Sequence, residues 1–66
     1  MRLFVFEGDV YHADAIAAIL KTDCEVIICL HGATDYSVTT YCYDDEEETG
    51  KNHFAAVSLW KEALKS

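Results

Sequence analysis

Five consecutive acids, Asp44, Asp45, Glu46, Glu47 and Glu48, carry the densest chemistry in this 66-residue chain. In an extended loop successive residues lie about 3.3 to 3.6 Å apart, close to the spacing of about 3.4 Å between phosphates along one DNA strand. A row of carboxylates at that pitch can fill a groove built for a phosphate backbone. Like charges so close repel one another, a cost that a cationic partner relieves. The chemistry expected of the run is electrostatic recognition of a basic surface; the competing reading is a solvated loop that aids solubility. A calcium loop fits less well. Asp44, Glu46 and Glu48 alternate as oxygen ligands do, but the glycine and the distal bidentate glutamate of an EF-hand are missing from their positions. Thr49-Gly50-Lys51 lacks the upstream glycine and the following Ser or Thr of a phosphate loop.

A second group with ligand chemistry is His12 and His31 with Glu7, Asp9 and Cys29. His12 falls on the apolar arc of the helix expected around it, where a packed, hydrogen-bonded histidine is the commoner outcome than a metal ligand. No Cys or Ser is spaced to a His and a third orienting group in the way nucleophilic catalysis requires. We therefore expect no catalytic residue, no metal and no cofactor. Cys24, Cys29 and Cys42 are odd in number and lack CxxC spacing, which argues against a disulfide framework and against structural zinc; reduced, partly buried thiols are expected.

Twelve acids against five Lys and Arg give a formal net charge of -7. Hydrophobic residues make up 52% of the chain, so the acidity decorates a folded body rather than a disordered tail. Sixty-six residues form a single α+β domain, 1–66, with a thin core, since domains this small bury only about 60% of their unfolded surface. The apolar stretch Val26 to Leu30 is strand-sized, far short of a membrane span, and Glu7 and Asp9 interrupt the N-terminus where a signal peptide needs its apolar segment. A cytoplasmic setting without membrane contact is expected, in a bacterial host cell if the gene is carried by a phage.

The elements that must position these residues follow from local pattern. Residues 2 to 6 read as a strand ended by Gly8. Asp9 then caps a helix at about Val10 to Lys21, with Ala13, Ile16, Ile19 and Leu20 on one arc. Cys24 to Leu30 form a second strand, His31 to Asp35 a turn, and Tyr36 to Tyr43 a third strand. Pairing at a register sum of 66 sets Val26 opposite Thr40, Ile28 opposite Val38 and Leu30 opposite Tyr36. Cys24, Val26, Ile28, Leu30, Val38 and Cys42 then face inward. Glu25, Ile27, Cys29, Ser37, Thr39, Tyr41 and Tyr43 face outward. Asn52 caps a second helix from His53 to about Lys65, with Ala56, Val57, Leu59, Trp60, Ala63 and Leu64 on its apolar arc. Trp60 and Phe54 close the core.

The resulting β-α-β-β-α order, with a right-handed crossover, predicts a ferredoxin-like fold without its last strand: a three-stranded antiparallel sheet, order 1-3-2, with two helices on one face. In that topology Asp23 and Glu25 join Asp44 to Glu48 at one pole, while Glu7, Asp9, His12, Asp14, His31 and Asp35 gather at the other. The outward Tyr41 and Tyr43 suggest an aromatic platform. Direct nucleic-acid binding is disfavoured, because the basic footprint it needs is missing; a protein interface, homodimerisation included, suits these tyrosines better.

In size, acidity and layout, with an N-terminus reading Met-Arg-Leu-Phe-Val-Phe-Glu-Gly-Asp-Val-Tyr-His-Ala, the chain resembles the small anti-CRISPR proteins of bacteriophages and mobile elements, in particular one acting on type I effector complexes of subtype I-C. Several members of that group are DNA mimics that occupy the basic groove where a Cascade complex reads the protospacer-adjacent motif. The resemblance implies a non-enzymatic inhibitor; the chain itself is expected as a monomer or a homodimer. Asp44 to Glu48, helped by Asp23 and Glu25, would stand in for phosphates against the Cascade large subunit, with Tyr41 and Tyr43 adding contact area. The alternative is a small regulatory module that pairs through its open sheet face.

Overall fold

Glu7 and Gly8 decide the N-terminal half of the molecule. In the computed structural model, which describes residues 2–32 and 38–65, both adopt positive φ, 52° and 81°. Two consecutive residues of this kind make the tight turn whose twist suits a β-hairpin. Leu3–Phe6 (β1) therefore folds back on Asp9–His12 (β2), pairing Phe6 with Asp9 and Leu3 with His12. The strand alternation buries Phe4, Phe6 and Tyr11 and turns Leu3, Val5 and Val10 outward. Phe4 stacks on Tyr11 at 5.6 Å between ring centroids.

The helix expected over Val10 to Lys21 is absent. Its residues form β2, a short 3-10 turn at Ala13–Ala15, and a strand, Ile16–Lys21 (β3). The helix-like spacing of Ile16 and Ile19 has a different cause. In a regular strand, residues three apart point to opposite faces. Here the pairing with Glu25–Leu30 (β4) shifts between Ile16, opposite Leu30, and Ala18, opposite Cys29. The extra residue, Ala17, is a bulge that returns the alternation to phase, so Ile16 and Ile19 are both buried.

β4 pairs on its other side with Val38–Cys42 (β5), giving a sheet of order β3-β4-β5 beside the separate two-stranded sheet β1-β2. The expected sheet order 1-3-2 and ferredoxin-like topology are thus replaced, among the described residues, by five antiparallel strands in two sheets and one α-helix, still α+β. The expected turn residues Ala33 to Asp35 and the strand positions Tyr36 and Ser37 lie outside the described residues. The register is also one residue off expectation, since Val26 faces Tyr41 and Ile28 faces Thr39. Because side chains alternate with period two, that slip turns the whole of β5 over. Tyr41 comes inward against the core with Tyr43, while Val38 is exposed at 37% and Cys42 is exposed, as is Cys24. The expected outward placement of Tyr41 and Tyr43, and the inward placement of Cys24, Val38 and Cys42, are corrected accordingly.

The helix, Glu46–Leu64 (α1), starts seven residues earlier than expected. Asp45, not Asn52, is its N-cap, and the Asp45 carboxylate accepts from the Glu48 N–H at 2.7 Å. Glu46, Glu47 and Glu48 occupy the first turn, where the exposed N–H groups and the macrodipole favour negative charge. The core-facing stripe runs through Thr49, Ala56, Val57, Trp60 and Ala63. Thr49 is fully buried yet satisfied, its hydroxyl donating to the Asp45 carbonyl at 2.7 Å. Phe54 is 73% exposed and does not close the core; Leu59 and Leu64 are exposed too. Two side chains fasten the helix to the β3 side of the molecule: the Trp60 indole N–H donates to the Ala13 carbonyl at 2.9 Å, and His53 Nε2–H donates to the Ile19 carbonyl at 3.0 Å.

Asp45→Ala should destabilise the fold by about 1 kcal/mol, the usual cost of losing an N-cap, or a Tm fall of about 4–8 °C for a domain of this size. Asp45→Asn, which keeps an acceptor, should be close to neutral. Calorimetric melts of the two variants check this, and equal melts would remove the cap from the account.

Candidate partner-binding surface at the acidic end

The acids of the run do not form an extended row. Asp44 and Asp45 precede the helix, and Glu46 to Glu48 wind around its first turn, each advancing about 1.5 Å along the axis and about 100° around it. The expected match to phosphate pitch is therefore lost. What forms instead is a dense crown of charge on a helix N-terminus. Glu47 forms an ion pair with Lys51 one turn on, at 3.3 Å between exposed groups, worth only about 0.3–0.5 kcal/mol.

The strand ends bring further acids to the same end of the molecule. Glu25 is paired with Cys42, and the Tyr43 N–H donates to the Cys24 carbonyl at 2.8 Å. Asp23 therefore leads into β4 beside the point where Asp44 leaves β5. Thr22 donates to the Glu25 carboxylate at 3.1 Å. The sheet topology from which this neighbourhood was expected is wrong, yet β4 and β5 still pair in antiparallel fashion, and that pairing alone brings the two segments together.

Glu7 and Asp9, expected at the opposite pole, come to this end through the hairpin turn. Tyr43 reports on Glu7. Its hydroxyl is shielded from solvent with no hydrogen-bond partner among the described residues, and its pKa is raised by burial first and then by the negative charges of Glu7 and Glu48. Asp9 is held by Tyr41, whose hydroxyl donates to its carboxylate at 2.6 Å. Since the one Tyr41 proton is committed there, the Tyr11 hydroxyl must donate to Tyr41 in the hydrogen bond that joins the two rings. Phe6 meets Tyr41 edge-on at 5.0 Å. Asp9 thus anchors a tyrosine relay instead of capping a helix.

The Tyr41 hydroxyl is held far above the ordinary tyrosine range by burial, then by the hydrogen bonds with Asp9 and Tyr11. A folded-state pKa above the unfolded value near 10 means that the stabilisation is complete below pH 10 and is lost as pH climbs beyond it, because the unfolded chain releases the proton first. Tyr41→Phe should cost about 1 kcal/mol at neutral pH and should flatten the decline in stability above about pH 10. Urea midpoints measured across that range test this; parallel profiles for the two proteins would contradict it.

The remaining expected site residues lie elsewhere. Asp14 forms an ion pair with Arg2 at 3.0 Å, next to Ala13, where Trp60 docks. Trp60 lies fifteen residue steps along the helix from Asp45, about 22 Å. The His31 N–H donates to the Ala15 carbonyl, at the same distant end. Among the described residues no three His, Cys, Asp or Glu side chains converge to hold a metal, no cavity opens, and no helix is long and apolar enough to cross a membrane. Sequence reasoning missed Glu7 and the cap at Asp45. The second had a signal in Asp45-x-x-Glu48, the spacing of a capping box.

No family model matches the chain, and neither curated proteins nor solved structures show a significant similarity to it.

Proposed function

We propose that the protein acts by binding rather than by catalysis, as an inhibitor that presents its acidic end to the basic surface of a nucleic-acid-binding protein and denies that surface to DNA. The observation that carries this reading is that Glu7, Asp23 and Glu25 lie at the end of the molecule where the helix starts, with Asp44 to Glu48. Among the described residues, Lys51 is tied to Glu47 within this group, and Lys21 lies at the end of β3 beside Val26. A charge block of this kind raises association rates and selects basic partners more than it supplies raw affinity. The resemblance to anti-CRISPR proteins makes the large subunit of a type I Cascade complex the first partner to try. The chain would offer it a compact cluster of charge rather than a ladder at phosphate spacing.

Capture from a bacterial lysate on the immobilised protein tests this. Basic nucleic-acid-binding proteins should be retained at low salt and released at high salt, since exposed charge pairs are screened within about 8 Å at physiological ionic strength. Retention of neutral proteins, indifferent to salt, would favour the second reading. That reading is a module that pairs through the outer face of the three-stranded sheet, where Leu20 is 51% exposed alongside Ile27, Cys29 and Val38.

A further inference from the structure

The two edges of the three-stranded sheet are treated differently. At the β3 to β4 connection, the Thr22 N–H donates to the Glu25 carbonyl. Alternation along an antiparallel ladder then turns the backbone groups of Lys21 and Ile19 toward the free edge of β3. That edge is covered in part: the Ile19 carbonyl accepts from His53 on α1. At the other side, the Tyr43 N–H donates to the Cys24 carbonyl, which makes Tyr43, Tyr41 and Thr39 the residues bonded to β4. Cys42, Thr40 and Val38 turn their N–H and C=O groups outward. Among the described residues no strand pairs with that edge and no backbone hydrogen bond reaches it.

Exposed edges are ordinarily blunted by Lys, Pro, bulges or inward charges. β5 reads Val-Thr-Thr-Tyr-Cys, without charge or proline, and its pairing with β4 has no bulge. We infer that β5 is a dimerisation edge, occupied by β5 of a second copy running antiparallel about a two-fold axis at Thr40. The strand suits itself. Thr40 faces Thr40 of the second copy, a favourable cross-strand pair, and Val38 faces Cys42. The interface is isologous, so it closes at two chains and does not propagate. The result is one six-stranded sheet whose outer face carries Leu20, Ile27, Cys29 and Val38 of both copies.

The net charge of -7 opposes association, but the geometry limits the cost. Asp44 lies four residues from the axis in each copy, so the two acidic crowns sit at opposite ends, about 27 Å apart at 3.4 Å per residue and more than three times the Debye length of about 8 Å. Screening the residual repulsion should therefore strengthen the dimer, whereas it should weaken binding to a basic partner. The two proposals fail independently, because their salt responses have opposite sign.

The test is sedimentation equilibrium on the full chain at low and high salt, combined with amide hydrogen exchange read residue by residue at low and high protein concentration. The expected result is a monomer–dimer equilibrium that tightens with salt. Protection of the Val38, Thr40 and Cys42 amides should appear only at high concentration, while Thr39 and Tyr41 are protected throughout. Thr40→Lys keeps the backbone N–H but sets two cations face to face across the axis, and should weaken the dimer at least tenfold. Thr40→Pro removes an outward N–H that β4 does not use and should do the same; far-UV circular dichroism establishes that each variant is folded. A chain that stays monomeric at all concentrations, a dimer without concentration-dependent protection at these three amides, or a folded Thr40→Lys variant that dimerises like the wild type would each overturn the inference.

Discussion

Neutralising the acidic crown as Asp44→Asn, Asp45→Asn, Glu46→Gln, Glu47→Gln and Glu48→Gln should weaken binding to a basic partner at least about fivefold while leaving the protein folded. The substitution removes five negative charges from a chain whose formal net charge is -7. Exposed charge pairs contribute about 0.2–1 kcal/mol each, so losing five together corresponds to about 1–5 kcal/mol, roughly a 5- to several-thousand-fold loss of affinity. The fold should survive because Asn is as good an N-cap as Asp. Each lost glutamate gives up about 0.3–1 kcal/mol of interaction with the helix macrodipole, and this is offset in part by relief of repulsion among the five. Glu62→Gln, at the other end of the helix beside Lys65, is the control and should bind normally. Titration calorimetry against the captured partner reads the result, and a folded five-fold variant that binds as tightly as the wild type would refute the charge reading.

The largest effect on stability should come from Ile28→Ala. Ile28 is fully buried at the centre of the sheet, between Ile19 on β3 and Thr39 on β5. Truncating a buried isoleucine costs about 2–5 kcal/mol in lost transfer energy and residual cavity. A chain of this length is expected to have only about 3–10 kcal/mol of total stability, so the variant should be partly or wholly unfolded at 37 °C. Cys42→Ser tests the register. Cys42 is exposed and the change should stay within about 0.5 kcal/mol; in the register with Cys42 facing inward, the same change would bury a new hydroxyl and cost about 1–3 kcal/mol. Urea midpoints of the two variants decide between these outcomes.

The C-terminal helix and the existence of β4 and β5 were legible in the sequence because their apolar patterns are strong, although the helix start and the β5 register were not. Val26, Ile28, Ala56, Trp60 and Ala63 all reach the core as their periodicity implies. The N-terminal half was not legible, for two local reasons. Glu7-Gly8 is a hairpin turn that lacks the usual Asn or Asp at its first position. The bulge at Ala17 converts a strand's alternation into the three-residue spacing of Ile16 and Ile19, which is the signature of a helix. With the hairpin unrecognised, Asp9 read as a helix cap when it is the acceptor for Tyr41. The β4 to β5 register, which decides whether Tyr41 or Cys42 faces inward, depends on turn geometry and cannot be had from alternation within either strand.

The acidic run was visible as charge and misread as shape. Asp45-x-x-Glu48 carried enough information to extend the helix back to Glu46, and with it to replace a phosphate-like row with a crown. Glu7 left no comparable trace, because its arrival beside Tyr43 depends on the hairpin and on the inward turn of β5 together. The charge reading is proposed in a changed form, resting on acids drawn from three parts of the chain.

The most direct test of that reading is competition with DNA. A labelled DNA duplex bound to the captured partner should be displaced by the protein, with the two ligands mutually exclusive and the displacement weakened by salt in step with direct binding. Formation of a stable ternary complex of partner, duplex and protein would contradict the account.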